Sequence, residues 1–194
     1  MHPTDGLGFT DEHIHDLITY VNTHPAAFRE NTYVLDMDID GLKTTFNAEA
    51  MRTLDQIPFK KPRDRELMEN ALLIKEIRTV YADEDTGTVF LIPFNNNIGI
   101  FGLADSDGNC KILVCAYTLT DIKNLTILTG LILGSFMKAL VPGVDVTDLV
   151  DELKNFPEGN AVRNGVRFSL SQKGILFWYS AVNENAPVQI GEDD

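Results

Sequence analysis

Histidine is scarce in this chain and confined to one end: His2, His13, His15 and His24 are all there are, so 170 of the 194 residues follow the last of them. A serine or cysteine nucleophile elsewhere would need its base brought from that short N-terminal stretch, and the pattern argues against a hydrolase built on a nucleophile–imidazole pair. Cysteine is nearly as rare, with only Cys110 and Cys115. They lie in one strand-like run at odd spacing, which predicts opposite faces. A rise of about 3.3 Å per residue also holds them too far apart to bridge. Free thiols are therefore expected, as suits a reducing compartment. No phosphate-binding glycine loop, nucleophile elbow or H-E-x-x-H zinc motif is present.

Basic residues are also few. Sixteen Lys and Arg stand against 29 Asp and Glu, a formal charge of −13. That balance repels phosphate backbones and anionic lipid surfaces, which disfavours nucleic acid and membrane surface as partners; a basic protein or a cation fits better. Long hydrophobic runs are missing too. The longest apolar segment, Leu125 to Leu140, carries Lys138, contains Gly130-x-x-x-Gly134-Ser135 and is closed off by Pro142. A membrane span wants about twenty apolar residues, so this one reads as the buried central helix of a water-facing domain. Its two glycines would let it lie close on a sheet. The start of the chain, Met1-His2-Pro3-Thr4-Asp5-Gly6, lacks the basic and apolar regions of a signal peptide. The expected location is cytoplasmic, or periplasmic or extracellular had a leader been removed.

What is present is a hydrophobic content of 44%, enough for a single core over 9–190 between a flexible 1–8 and a disordered tail at 191–194. Phe9-Thr10-Asp11-Glu12 is a helix start, and Ile14, Leu17, Ile18 and Val21 follow i, i+3, i+4, i+7 spacing, an amphipathic helix that ends by Pro25. Tyr33, Leu35, Met37 and Ile39 alternate with Asp36, Asp38 and Asp40, a strand pattern with an acidic face. Asp40-Gly41 then predicts a turn into a returning strand, Leu42 to Phe46. On this reading 32–65 is an inserted hairpin and linker, with a short helix near Asn47. A helical turn or two over Glu66 to Leu73 leads into four strands, Ile74 to Tyr81, Thr88 to Phe94, Ile98 to Ala104 and Lys111 to Thr118. The short polar turns between them predict an antiparallel meander. The apolar helix follows, from Thr120-Asp121 to just before Pro142. Then come a shorter amphipathic helix, Thr147 to Phe156, and a closing strand pair, Val162 to Leu170 and Ile175 to Val182. The expected class is α+β: a meander sheet packed on a long apolar helix, with an N-terminal amphipathic helix and a C-terminal strand pair.

Two acidic segments stand out as candidate chemistry. Asp36-x-Asp38-x-Asp40-Gly41 opens like a calcium-binding loop, but position twelve is Asn47 where a bidentate Glu is needed and position eight is Lys43. An acidic surface that engages a partner is the better reading, and neither a metal nor a cofactor is expected. Asp105-Ser106-Asp107-Gly108-Asn109 places its glycine too early for such a loop and reads as a hairpin turn. His13 and His15, two apart on a helix, face different ways and complete no zinc site. Phe177-Trp178-Tyr179 puts Trp178 on the sheet face opposite its neighbours.

Several short motifs keep a fixed order. Leu7-Gly8-Phe9-Thr10-x-Glu12 precedes a helix ending Tyr20-Val21-Asn22, and Phe94-Asn95-x-Asn97-Ile98-Gly99-Ile100 follows. An apolar helix with Ala139-Leu140-x-Pro142 comes next, then Asn164-Gly165-Val166-Arg167-Phe168 and Gly174-Ile175-Leu176-Phe177. In these the chain resembles a group of small bacterial α+β proteins of uncharacterised function, many of them exported or lipid-anchored, and departs from them over Tyr33 to Arg65. The order of elements also resembles secretion-chaperone-like folds, and the small acidic profile is similar to that of immunity proteins. These resemblances imply a non-enzymatic domain that escorts or neutralises a more basic toxin or effector. The residues expected to meet it are Asp36, Asp38 and Asp40, with Asp83, Glu84 and Asp85 at a hairpin tip. The alternative expectation is an exported domain for a small ligand or ion.

Overall fold

The computed structural model describes residues 32–83, 87–95, 97–118, 123–154, 160–173 and 176–187, the side chains of 123–125 and 173 excepted. The expected amphipathic helix over 10–22, the flexible 1–8, the start of the apolar helix at Thr120-Asp121 and the tail at 191–194 lie outside them.

The first described helix corrects the predicted hairpin. Residues 33–38 form no strand: the chain bends at Asp36 and has a single isolated bridge, Asp38 to Asn109. Asp38 then turns the chain, its carboxylate accepting from the Gly41 amide at 2.6 Å, and α1 runs over Ile39–Asp55. A short acidic residue in extended geometry before an apolar periodicity is an N-cap, and here it overrides the turn propensity of Asp40-Gly41. The i, i+4 series Leu42, Phe46, Ala50 and Leu54 is fully buried, a stripe that only a helix can present to one side. Thr44, Thr45 and Thr53 each donate a hydroxyl to the carbonyl four residues back, which satisfies β-branched polar residues inside the helix. Helix α2 covers Pro62–Leu72, its proline sitting where a helix tolerates one. The chain after it is braced against α1. Asn47 Nδ2 donates to the Ile74 carbonyl at 3.1 Å, and the Ile74 amide donates back to Asn47 Oδ1 at 2.8 Å.

The meander follows as strands β1 Arg78–Asp83, β2 Gly87–Asn95, β3 Ile98–Ala104 and β4 Cys110–Thr118. Helix α3, Lys123–Leu140, then packs along α1, and α4, Val146–Lys154, returns the chain to the far edge of the sheet. The expected closing pair is three strands. β5 Asn160–Arg163 and β6 Val166–Lys173 are joined by Asn164-Gly165, with both residues at positive φ, and β7 is Leu176–Asn183. An Asn-Gly two-residue turn is the strongest short hairpin signal there is, and it divides the expected Val162 to Leu170 strand. All seven strands form one antiparallel sheet in the order β1-β2-β3-β4-β7-β6-β5. The fold is α+β, with helices on the sheet face that carries Phe90, Ile92, Ile98, Ile100, Leu113, Phe168 and Ala181.

Two other expectations change. A register shift where β3 meets β4 pairs Ala104 with Cys110 but Leu103 with Ile112, so Lys111 is an extra residue. The added residue reverses the parity of the strand, and Cys110 and Cys115 both face the helices, buried and unbridged, rather than opposite sides. Gly130 and Gly134 do not govern the approach of α3 to the sheet. Among the described residues a methyl at Gly130 would meet nothing within 4 Å, and one at Gly134 would meet only Val146 at 3.9 Å. Helix α1 packs beside α3 and itself meets the sheet, Phe46 lying against Phe94 of β2 with ring centroids 5.4 Å apart. No helix of the described residues is long and apolar enough to cross a membrane.

The second face of the sheet is apolar as well. Val89, Leu103, Ile112 and Val182 form one cluster with Ala186, and Leu91, Phe101 and Ala116 form another with Trp178 at its edge. Trp178 thus lies opposite Phe177 and Tyr179, as strand alternation requires; Tyr179 packs in the main core and Phe177 stacks on Tyr117, with ring centroids 5.3 Å apart.

Candidate functional site

In an antiparallel meander alternate turns fall at the same end of the sheet. The turn after β1 and the turn after β3 therefore meet: Asp83 pairs with Gly87, and Thr88 pairs with Ala104. Gly87 is at φ 93°, and a side chain there would run into the Ala104 carbonyl and come within 3.1 Å of Asp105 Cα. Only glycine lets the two hairpins close on each other.

The segment before α1 joins the same end. The Leu35 amide donates to the Cys110 carbonyl at 2.7 Å, the Cys110 amide donates to the Met37 carbonyl at 2.8 Å, and the Ile39 amide donates to the Gly108 carbonyl at 3.1 Å. Asp38 bridges to Asn109. Asp36, Asp38 and Asp40 are consequently set around the Asp105–Asn109 turn, which also carries Asp107. Of the residues expected to meet a partner, the fold brings Asp36, Asp38, Asp40 and Asp83 to one end of the sheet. Glu84 and Asp85 lie outside the described residues.

The carboxylates there divide by duty. Asp38 caps α1. Asp105 closes its own turn, one oxygen accepting from the Asp107 and Asn109 amides at 3.0 and 2.8 Å, with the Asn109 side-chain amide donating to the other at 3.1 Å. This bears out the reading of 105–109 as a turn. The side chains of Asp36, Asp40 and Asp107 are exposed and make no hydrogen bond or ion pair to other described residues. Both Asp38 and Asp105 lie close enough to the Cys110 thiol to oppose its ionisation. Burial first, then these two charges, push it from its ordinary 9.0 up to about 12. Burial alone raises Cys115. Neither thiol is a nucleophile near neutral pH. Tyr117 and Tyr179, hydrogen-bonded to each other at the other end of the sheet, are also raised, chiefly by burial.

Among the described residues no group of three or more His, Cys, Asp or Glu is arranged to hold a metal ion; the acids at this end come from three separate backbone segments, and Asp38 and Asp105 are turned onto backbone amides. Such an arrangement suits a broad cationic surface rather than a single ion. Asp105 and Asp107 belong to it, though only Asp105 has its carboxylate committed to the turn. The signal that could have added them is the alternation of turns, which puts the 83–87 and 105–109 tips side by side in any four-strand meander.

No protein-family model matches this chain, and neither does any curated protein or solved structure.

Proposed function

We propose that this is a non-enzymatic protein-binding domain, of immunity-protein or secretion-chaperone type, that meets a more basic partner protein through the acidic end of its sheet. One observation carries the reading. Asp36, Asp38, Asp40, Asp83, Asp105 and Asp107 come from three stretches far apart in sequence, and sheet topology gathers them at one end of a chain of formal charge −13. Two of the carboxylates hold the backbone of that end in shape, so the exposed ones are presented on a fixed frame. A surface of this kind steers a basic protein and raises its association rate more than it raises affinity.

The test is a triple charge reversal, Asp36→Lys, Asp40→Lys and Asp107→Lys, which leaves both structural carboxylates in place. A basic protein captured from the source cell is bound to the wild-type and reversed chains over a series of salt concentrations. The expected result is association at least tenfold slower in low salt, with a flattened salt dependence. Equal rates and equal salt slopes for the two chains would overturn the reading.

A further inference from the structure

Three separate stretches of chain meet where β7 ends. Strand pairing closes with Asn183 opposite Val166, and the Glu184 amide carries the ladder one step further by donating to the Gly165 carbonyl at 2.8 Å. The chain then folds back. Asn183 Oδ1 accepts from the Asn185 amide at 3.0 Å, and the Asn183 carbonyl accepts from the Ala186 amide at 2.9 Å, the local turn that an asparagine side chain favours. Arg167 of β6, the partner of Val182, braces this turn. Its Nη1 donates to the Glu184 carbonyl at 3.3 Å and its Nη2 to the Ala186 carbonyl at 2.7 Å, while Ala186 packs with Val89, Leu103, Ile112 and Val182 on the second face of the sheet.

The Asn183 side chain itself goes the other way. Alternation along β7 puts it on the face opposite Val182, the one that carries the helices, and its Nδ2 donates to the Val34 carbonyl at 2.9 Å. Two residues on from Val34 is Asp36. This stretch belongs to no strand; Leu35 and Met37 are tied to the backbone of Cys110, and the bond from Asn183 holds the chain just upstream of both. We propose that Asn183 is a positioning residue for the acidic end: it anchors the start of the segment that carries Asp36 and leads into Asp38 and Asp40, and Arg167 acts through the turn to keep Asn183 in place. Both atoms of the Asn183 amide are needed, the oxygen to shape the turn and the nitrogen to reach Val34. The inference rests on the proposed function for what the acidic end does. A segment held in this way presents Asp36 to a partner already ordered, so less freedom is lost on binding.

Two full-length variants test this without altering charge. Asn183→Ser keeps an acceptor for the Asn185 amide but is too short to reach Val34. Arg167→Lys replaces the planar fork that meets two carbonyls with a single ammonium. In Asn183→Ser, hydrogen exchange at the Leu35 and Cys110 amides is expected to be about three- to tenfold faster, the worth of one hydrogen bond, with the Ile100 and Val114 amides of the central strands unchanged. Arg167→Lys should move the same two amides in the same direction. Unchanged exchange at Leu35 and Cys110, or equal acceleration throughout the sheet, would overturn the proposal. Exchange needs no partner, so this result stands or falls apart from the proposed function. Against the captured basic protein, Asn183→Ser is expected to dissociate faster than the wild type at the same salt slope, because no charge has changed. Dissociation at the wild-type rate would overturn the positioning role.

Discussion

Gly102 pairs with Phe90 across β2 and β3, and both lie under the helices. A methyl built on Gly102 falls on the Phe90 ring: even the farthest of its three nearest ring atoms is 2.7 Å away, where ordinary contact starts at 3.4 Å. Phe90 is fully buried, so the ring has no solvent to move into. Gly102→Ala should gain about 0.5–1 kcal/mol from the lower backbone freedom of the unfolded chain and lose about 1–3 kcal/mol to overpacking. The middles of these ranges give a net loss of about 1 kcal/mol, equivalent to about 2–4 °C in melting temperature for a chain of this size. Urea denaturation should show a lower midpoint at unchanged slope. The decisive comparison is a double-mutant cycle. Phe90→Leu removes the ring atoms that collide, so Gly102→Ala should cost little in that background, with a coupling of at least about 0.5 kcal/mol. Additive effects of the two substitutions, or a neutral Gly102→Ala, would refute the packing argument and with it the β2–β3 register that brings the Asp83 and Asp105 turns together.

Two further outcomes are expected. Asp38→Ala should cost about 1 kcal/mol by removing the acceptor for the Gly41 amide, whereas Asp38→Asn keeps an acceptor and should cost less than half of that in the same denaturation experiment. The buried thiols should make stability fall with pH on the alkaline side. Cys110 ionises near 9 when unfolded and near 12 when folded, so its contribution is fully present below pH 9 and is lost as pH rises through the interval between them. The unfolded state binds fewer protons there, and the slope is about −1.4 kcal/mol per pH unit for each thiol. Denaturation midpoints measured between pH 8 and 11 should therefore fall less steeply for Cys110→Ala than for the wild type.

Sequence reasoning reached β2, β3 and β4 nearly to the residue, because their apolar runs are bounded by compact polar turns and no competing periodicity exists. It reached α3 through sheer apolar content. It failed over 39–55, where two local signals, alternation through Ile39 and the Asp40-Gly41 pair, outweighed an i, i+4 series that only becomes visible when Leu42, Phe46, Ala50 and Leu54 are taken together. It failed over 160–173 for the opposite reason: the Asn164-Gly165 turn was in plain view, but the apolar residues Val162, Val166, Phe168 and Leu170 recur at even spacing on both sides of it, as they would along one strand. The cysteine error is of a third kind. A single extra residue at Lys111 reverses strand parity, and no property of the strand's own sequence announces where its partner will slip. The acidic surface was legible as residues but not as a place, since nothing local to Asp36 or Asp83 indicates that both belong beside Asp105.

The division of labour among the acids makes the functional reading separable from the structural one. Asp38 and Asp105 spend their oxygens on backbone amides of the helix start and the β3–β4 turn, and their loss would loosen the frame whether or not a partner exists. Asp36, Asp40 and Asp107 have no such duty among the described residues, so reversing them changes the field at that end while leaving the backbone hydrogen bonds intact. Charges at the rim of an association surface act mainly on encounter, and their effect fades with salt, whereas loss of a cap acts on stability at every ionic strength. If slower binding in the triple reversal came from a damaged fold, the deficit would persist at high salt and the denaturation midpoint would drop with it. A deficit confined to low salt, with the midpoint unmoved, isolates the field of the acidic end as its cause.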